Sequence, residues 1–150
     1  MVPSRPDGYG WYVVKETNRL TVLLGNEQEE WNLTVRSLLE PMGVQTLSAR
    51  GGRQALELLE STYVDVAVLD AQMPQLGGLQ VIRLIRELHK STPAILLTSH
   101  LTSHLLRDAL GMQVFSVLTK PVDCNLLLDA LARVLRRYHE NRWPMKPENE

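Results

Sequence analysis

Five short apolar runs alternate with five amphipathic stretches, and this alternation leaves the chain few folds. The runs are Leu20–Leu24, Val44–Ala49, Val64–Leu69, Ala94–Thr98 and Val114–Leu118. Each has strand length and is bounded by turn formers or charges. Val64–Leu69 and Ala94–Leu97 are nearly continuous, as in strands buried on both faces. Between the runs, apolar residues recur at spacings of three and four. Trp31, Val35, Leu38 and Met42 mark the first helix, and Ala55, Leu56 and Leu59 the second. Leu79, Ile82, Ile85 and Leu88 mark the third, Leu105, Leu106, Ala109 and Leu110 the fourth, and Leu127, Leu131, Val134 and Leu135 the fifth. Gly43 and Gly111 stand where helices would stop. Five β-α units predict a doubly wound (βα)5 α/β fold: a parallel five-stranded sheet, helices on both faces, right-handed crossovers. At 150 residues, 44% apolar, the chain can bury one ordinary core.

The domain is expected over 20–138. Residues 1–19 read as an arm, with a short docked strand at Trp11–Val14 as the alternative, and 139–150 as a polar tail with Pro144 and Pro147. No apolar run approaches the ~18 residues of a membrane span. The first ten residues lack the apolar segment of a secretory signal. The single cysteine, Cys124, cannot form an internal disulfide and reads as an ordinary thiol at the start of the last helix. These features predict a cytoplasmic chain with no membrane partner. A net charge of −1 gives no general attraction to nucleic acid, and none is expected as a direct partner. Arg133, Arg136, Arg137 and Arg142 read as a solvated face.

In parallel α/β sheets, chemistry gathers at the carboxyl ends of the strands. There the sequence puts Asn26, Glu27 and Gln28 after the first run, and Asp70 after the third. Thr98, Ser99 and His100 follow the fourth; Thr119, Lys120 and Pro121 follow the fifth. Carboxylates, a hydroxyl and an ammonium at one edge can hold a divalent cation and a phosphoryl group. An aspartate oxygen can then act as nucleophile.

Over about Arg19 to Tyr138 the chain resembles the receiver domain of two-component response regulators, the CheY-like and flavodoxin-like arrangement. The resemblance is carried by Val64-Asp65-Val66-Ala67-Val68-Leu69-Asp70-Ala71-Gln72-Met73-Pro74 with Gly78, by Pro93-Ala94-Ile95-Leu96-Leu97-Thr98-Ser99, and by Leu118-Thr119-Lys120-Pro121. It implies that Asp70 accepts a phosphoryl group from a histidine kinase or phosphotransfer protein. It also implies that Thr98 and Lys120 hold the phosphoryl oxygens. Mg²⁺ would be bound by Glu27, Asp70 and the backbone carbonyl of Gln72, with Asn26 a weak contributor through water. Such a chain is a signalling module rather than an enzyme. Gln72 and His100, two residues beyond Asp70 and Thr98, would border the phosphoryl group and tune its loss to water.

Three departures from the family pattern stand out. The family carries two adjacent acids after the first strand. Placing Asn26-Glu27 there puts Trp31, Val35, Leu38 and Met42 on the buried helix face, whereas the shifted register would bury Glu30, Thr34, Ser37 and Pro41 at high cost. Metal affinity should therefore fall. Val117 stands where Tyr or Phe often couples to the switch hydroxyl; Phe115, two residues earlier, would lie on the same side of its strand. Gly77 replaces a common Asp, with little consequence expected. His100 and His104, four apart with no third ligand, read as solvent-facing.

Phosphorylation adds about −1.5 to −2 charges and would favour one of two conformations. The changed surface is expected at 101–138, read by a downstream partner or by self-association. The flanks are expected to be too short for an output domain, and a domain beyond the given sequence is the third route for output. Two alternatives are a pseudo-receiver that binds partners without phosphorylation, and a small hydrolase. Gln72, where related phosphatases place a general acid, argues against the hydrolase.

Overall fold

The computed structural model describes residues 19–139. Apart from Arg19 and His139, the expected arm, with its alternative of a docked strand at Trp11–Val14, and the tail with Arg142 lie outside the described residues. Five parallel strands form one sheet: β1 (Thr21–Gly25), β2 (Gln45–Ala49), β3 (Val66–Asp70), β4 (Ala94–Thr98) and β5 (Ser116–Thr119), in spatial order β2-β1-β3-β4-β5. The helices are α1 (Glu29–Leu39), α2 (Gly52–Ser61), α3 (Gly78–Glu87), α4 (Ser103–Gly111) and α5 (Cys124–Tyr138). This is the (βα)5 arrangement that the alternation predicts. The strand order reverses between β1 and β3, the place where such sheets open a crevice.

Alternation along each strand feeds two cores. Val22, Leu24, Val66, Val68, Ile95 and Leu97 face α1 and α5. Leu23, Ala67, Leu69 and Leu96 face α2, α3 and α4. The central strands are fully buried, so both side-chain sets are aliphatic. Each fully buried Leu, Ile or Val stabilises the fold by roughly 1.5–3 kcal/mol.

Four local expectations are corrected. The buried face of α1 is Asn32, Val35 and Leu39; of the expected row, Val35 is buried and Trp31 is partly buried against the same core, while Leu38 and Met42 are exposed. Asn32 turns inward and its Nδ2 donates to the Asn26 carbonyl at 3.2 Å. Pro41 then opens a 3-10 turn, Glu40–Met42, that breaks the helical period and leaves Leu38 and Met42 in contact with solvent. Gly43 does stop this segment, at φ 84. Gly111 is not a cap, however. It is the last helical residue of α4, and the left-handed position falls on Gln113, φ 60. Along α4 only Ala109 is buried, and Leu110 is 73% exposed. Finally, Phe115 and Val117 do not share a side. Phe115 precedes β5, packs with the α1/α5 core and meets Tyr138 edge-on at 6.5 Å, while Val117 joins the other core. The alternation of β5 begins only at Ser116, so two-residue spacing does not apply to Phe115.

Candidate functional site

β3 carries Asp70 to the carboxyl edge as its last residue. The edge is closed by hydrogen bonds between neighbouring strand ends. Ala71 N–H donates to the Leu97 carbonyl at 2.7 Å, Lys120 N–H to the Thr98 carbonyl at 2.8 Å, and Asn26 N–H to the Ala49 carbonyl at 2.9 Å. Gly25 is level with Leu69, and Asp70 with Leu97, so Asn26 follows β1 beside Asp70. Thr98 is level with Thr119, one residue before Lys120.

Asp70 is 2% exposed, yet both its oxygens have donors. Oδ2 meets the Lys120 ammonium in a close ion pair. Oδ1 accepts the Gln72 N–H at 2.8 Å. A buried carboxylate needs such partners, because an unpaired charge there costs several kcal/mol. Lys120 is half-buried, with its stem along the edge and its charge on Asp70. Asn26, 4% exposed, accepts the Gln28 N–H on Oδ1 at 2.9 Å, which helps set the entry to α1. Thr98 is buried, and its hydroxyl accepts the His100 N–H at 3.1 Å and lies 3.3 Å from the His100 carbonyl.

Glu27 is exposed and lines a cleft of about 520 Å³ with Gln72, Met73 and Pro74. Asp70, Lys120, Thr98 and Asn26 thus converge on the edge, and Glu27 and Gln72 stand at its mouth. Two carboxylates and a main-chain carbonyl are an all-oxygen donor set that suits a hard cation keeping several waters. Among the described residues, no group of three or more His, Cys, Asp or Glu is gathered for a metal. His100 and His104 are exposed, and His104 lies 3.3 Å from Asp108, an ion pair when the imidazole is protonated.

The sequence profile of the response regulator receiver domain matches residues 22–132. This chain belongs to the response regulator receiver family. The transcriptional regulatory protein CpxR of Escherichia coli is 31% identical over 130 residues, 85% of this chain and 53% of CpxR. The response regulator protein PilR of Pseudomonas aeruginosa is 34% identical over 106 residues, 68% of this chain and 24% of PilR. The chain therefore spans about half or less of these relatives. Among solved structures, the signal receiver domain of an HD domain-containing protein from Pseudomonas fluorescens superposes with a TM-score of 0.74 at 33% identity, covering 81% of this chain and 98% of that one. A CheY-like receiver from Methanospirillum hungatei, 17% identical, shares the fold with a TM-score of 0.76, covering 82% and 98%. The receiver is a signalling domain of two-component systems. No helix among its described residues is long and apolar enough to cross a membrane.

Several features of this receiver are invisible to motif reading. A Cβ on Gly25 would lie 2.7 Å from Leu69 Cδ2 and 3.3 Å from the Met73 sulfur, so core side chains already fill that corner. At Gly77 a Cβ would meet the Ala71 carbonyl oxygen at 2.3 Å. The turn is closed to any side chain, so the glycine has more consequence than expected. Gln80 Oε1 instead accepts the Gly77 N–H at 2.9 Å. At the opposite edge of the sheet, buried Asp65 accepts the Thr21 N–H at 2.8 Å and lies 3.4 Å from His139. The only sequence signal for these contacts is polarity inside otherwise apolar runs.

Proposed function

We propose that this receiver accepts a phosphoryl group on Asp70 from a phosphohistidine of a partner kinase or phosphotransfer protein. The observation that carries this reading is the buried Asp70 carboxylate held by Lys120 at the carboxyl edge, with Thr98 on the neighbouring strand. An Asp70 oxygen forms the new bond to phosphorus as the phosphorus–nitrogen bond breaks. The electron pair leaves on the imidazole, which takes a proton from solvent. Lys120 then turns from the carboxylate to the phosphoryl oxygens, where an ammonium stabilises the developing charge. The Thr98 hydroxyl exchanges its His100 contacts for a phosphoryl oxygen and draws the start of the β4–α4 connection with it. Glu27, Asp70 and the Gln72 carbonyl would hold Mg²⁺, with Asn26 reaching it through water. When bound, the ion neutralises phosphoryl oxygens and orients the donor. Gln72 and His100 border the acyl phosphate and govern access of water to it.

The output surface is 101–138, read by a downstream protein or a second copy. Its most responsive part is α4, which contributes one buried residue to the core and so costs little to shift. The test is incubation of the full chain with Mg²⁺ and acetyl phosphate, read by intact mass. One phosphoryl adduct is expected, absent from Asp70→Asn. A folded sample that gains no adduct across a wide Mg²⁺ range refutes the reading.

A further inference from the structure

We propose that Gly52, the first residue of α2, is a positioning residue for Asp70, and that it acts through the β3–α3 turn that carries Gln72. The turn is strained. Gln75 stands at φ 74, and the Leu76 N–H folds back over it onto the Pro74 carbonyl at 2.8 Å. That is the rarer form of the γ-turn, which a residue other than glycine keeps only where its surroundings hold it. Two surfaces hold this one. On the β1 side, the Met73 thioether fills the corner beside Gly25. On the outer side, the turn rests on α2. The Gly52 N–H donates to the Pro74 carbonyl at 3.1 Å, and the Leu76 backbone lies so close to Gly52 that any side chain there would run into the Leu76 carbonyl. Gly51 has ordinary clearance by contrast: a Cβ there would lie 3.4 Å from both the Gln75 side-chain oxygen and the Pro74 carbonyl oxygen.

The other end of the same turn touches the chemistry. The Gln72 N–H, two residues before Pro74, donates to Asp70 Oδ1 at 2.8 Å. With Lys120 on Oδ2, that bond fixes the plane of the carboxylate and so the direction from which an oxygen approaches phosphorus. Gly77 is packed onto the Ala71 carbonyl, so the turn has no slack in which a displacement could be absorbed. Lifting the turn off Gly52 therefore carries Gln72 away from Asp70. The effect on reaction rate rests on the reading of Asp70 given above. The seating of Gln72 does not, and it is measured on the unmodified chain.

The test pairs two measurements on the full chain, at a temperature where each variant is folded. One is the rate of adduct formation with acetyl phosphate and Mg²⁺, read by intact mass. The other is amide hydrogen exchange of the unmodified chain. Gly52→Ala should gain the phosphoryl group about 10–100-fold more slowly, the effect of displacing a reacting group by up to an ångström. Its Gln72 amide should exchange at least about tenfold faster relative to the β1 amides. Gly51→Ala should stay within about twofold of wild type in both. So should Arg86→Ala, which loses comparable stability at the amino edge, where its guanidinium holds the Met112, Lys90 and Thr92 carbonyls, and about twofold is again the limit. In the wild-type chain the Gly52 and Gln72 amides should be equally protected, within about threefold, because both open when the turn lifts. A Gly52→Ala rate equal to wild type overturns the proposal. An equal loss of rate in Arg86→Ala does so too, because it reduces the effect to stability. Wild-type protection that differs about tenfold or more between Gly52 and Gln72 overturns it without any variant, so the proposal stays testable if Gly52→Ala does not fold. A wild-type chain that gains no adduct refutes the reading of Asp70 instead, and the Gln72 exchange then decides the positioning alone.

Discussion

Arg86, in the last turn of α3, fastens two loops at the amino edge of the sheet. Its Nε donates to the Met112 carbonyl at 2.9 Å, and its Nη1 to those of Lys90 and Thr92 at 3.0 and 2.9 Å. Nη2 reaches the Gln113 carbonyl at 3.5 Å, too long to count. One guanidinium therefore joins the α3–β4 connection to the end of α4. Burial pushes its pKa down, an effect opposed electrostatically by Tyr138, and the guanidinium stays charged at every accessible pH. Removing the side chain deletes three good hydrogen bonds worth about 1 kcal/mol each, or about 3 kcal/mol in all. Water can reach part of the vacated space, so about 2–3 kcal/mol is the expected loss for Arg86→Ala. For a domain of this size that lowers Tm by about 8–12 °C. Arg86→Lys should recover less than half, because one ammonium cannot span both loops as the fork does. Urea unfolding, with thermal melts as the second measurement, supplies both values. An Arg86→Ala loss under 1 kcal/mol, or full recovery with Lys, would refute the clamp. The loss should also appear as faster amide exchange at Met112 and Gln113 than in β3, because the clamp holds the end of a helix with one buried residue.

Three further outcomes follow from the same geometry. Gly52→Ala should lose about 2–3 kcal/mol in denaturant titration, since its Cβ would lie 2.0 Å from the Leu76 carbonyl oxygen. Gln113→Gly, at φ 60, should gain roughly 1 kcal/mol through relief of the left-handed backbone; a gain at Gln113 but not at exposed, right-handed Gln54 is the control. Lys90→Met should lose about 1 kcal/mol in the same titration, because its Nζ donates to the Leu59 carbonyl at the end of α2 at 2.9 Å.

Much of the architecture was legible because it depends on repeated patterns. Buried runs such as Val66–Leu69 and Ala94–Leu97 can hardly be anything but central strands, and the polar residues that follow them must fall at one edge. Asp70, Thr98 and Lys120 are readable for that reason. Single positions whose role depends on a distant neighbour were not legible. Asn32 breaks the apolar row of α1: its Nδ2 donates to the Asn26 carbonyl, a contact to a position that apolar periodicity does not signal, while its Oδ1 is buried without a partner. Phe115 looks like a neighbour of Val117 until β5 is seen to begin after it. Gly25 is the sharpest case. In the sequence it is only the residue that follows the first apolar run, with nothing to mark it. In the fold its Cα faces Leu69 and Met73, and Met73 belongs to the turn that positions Gln72 against Asp70. Any side chain at 25 must move that methionine, so the glycine, the Met-Pro turn and the Gln72 N–H on Asp70 form one packing decision.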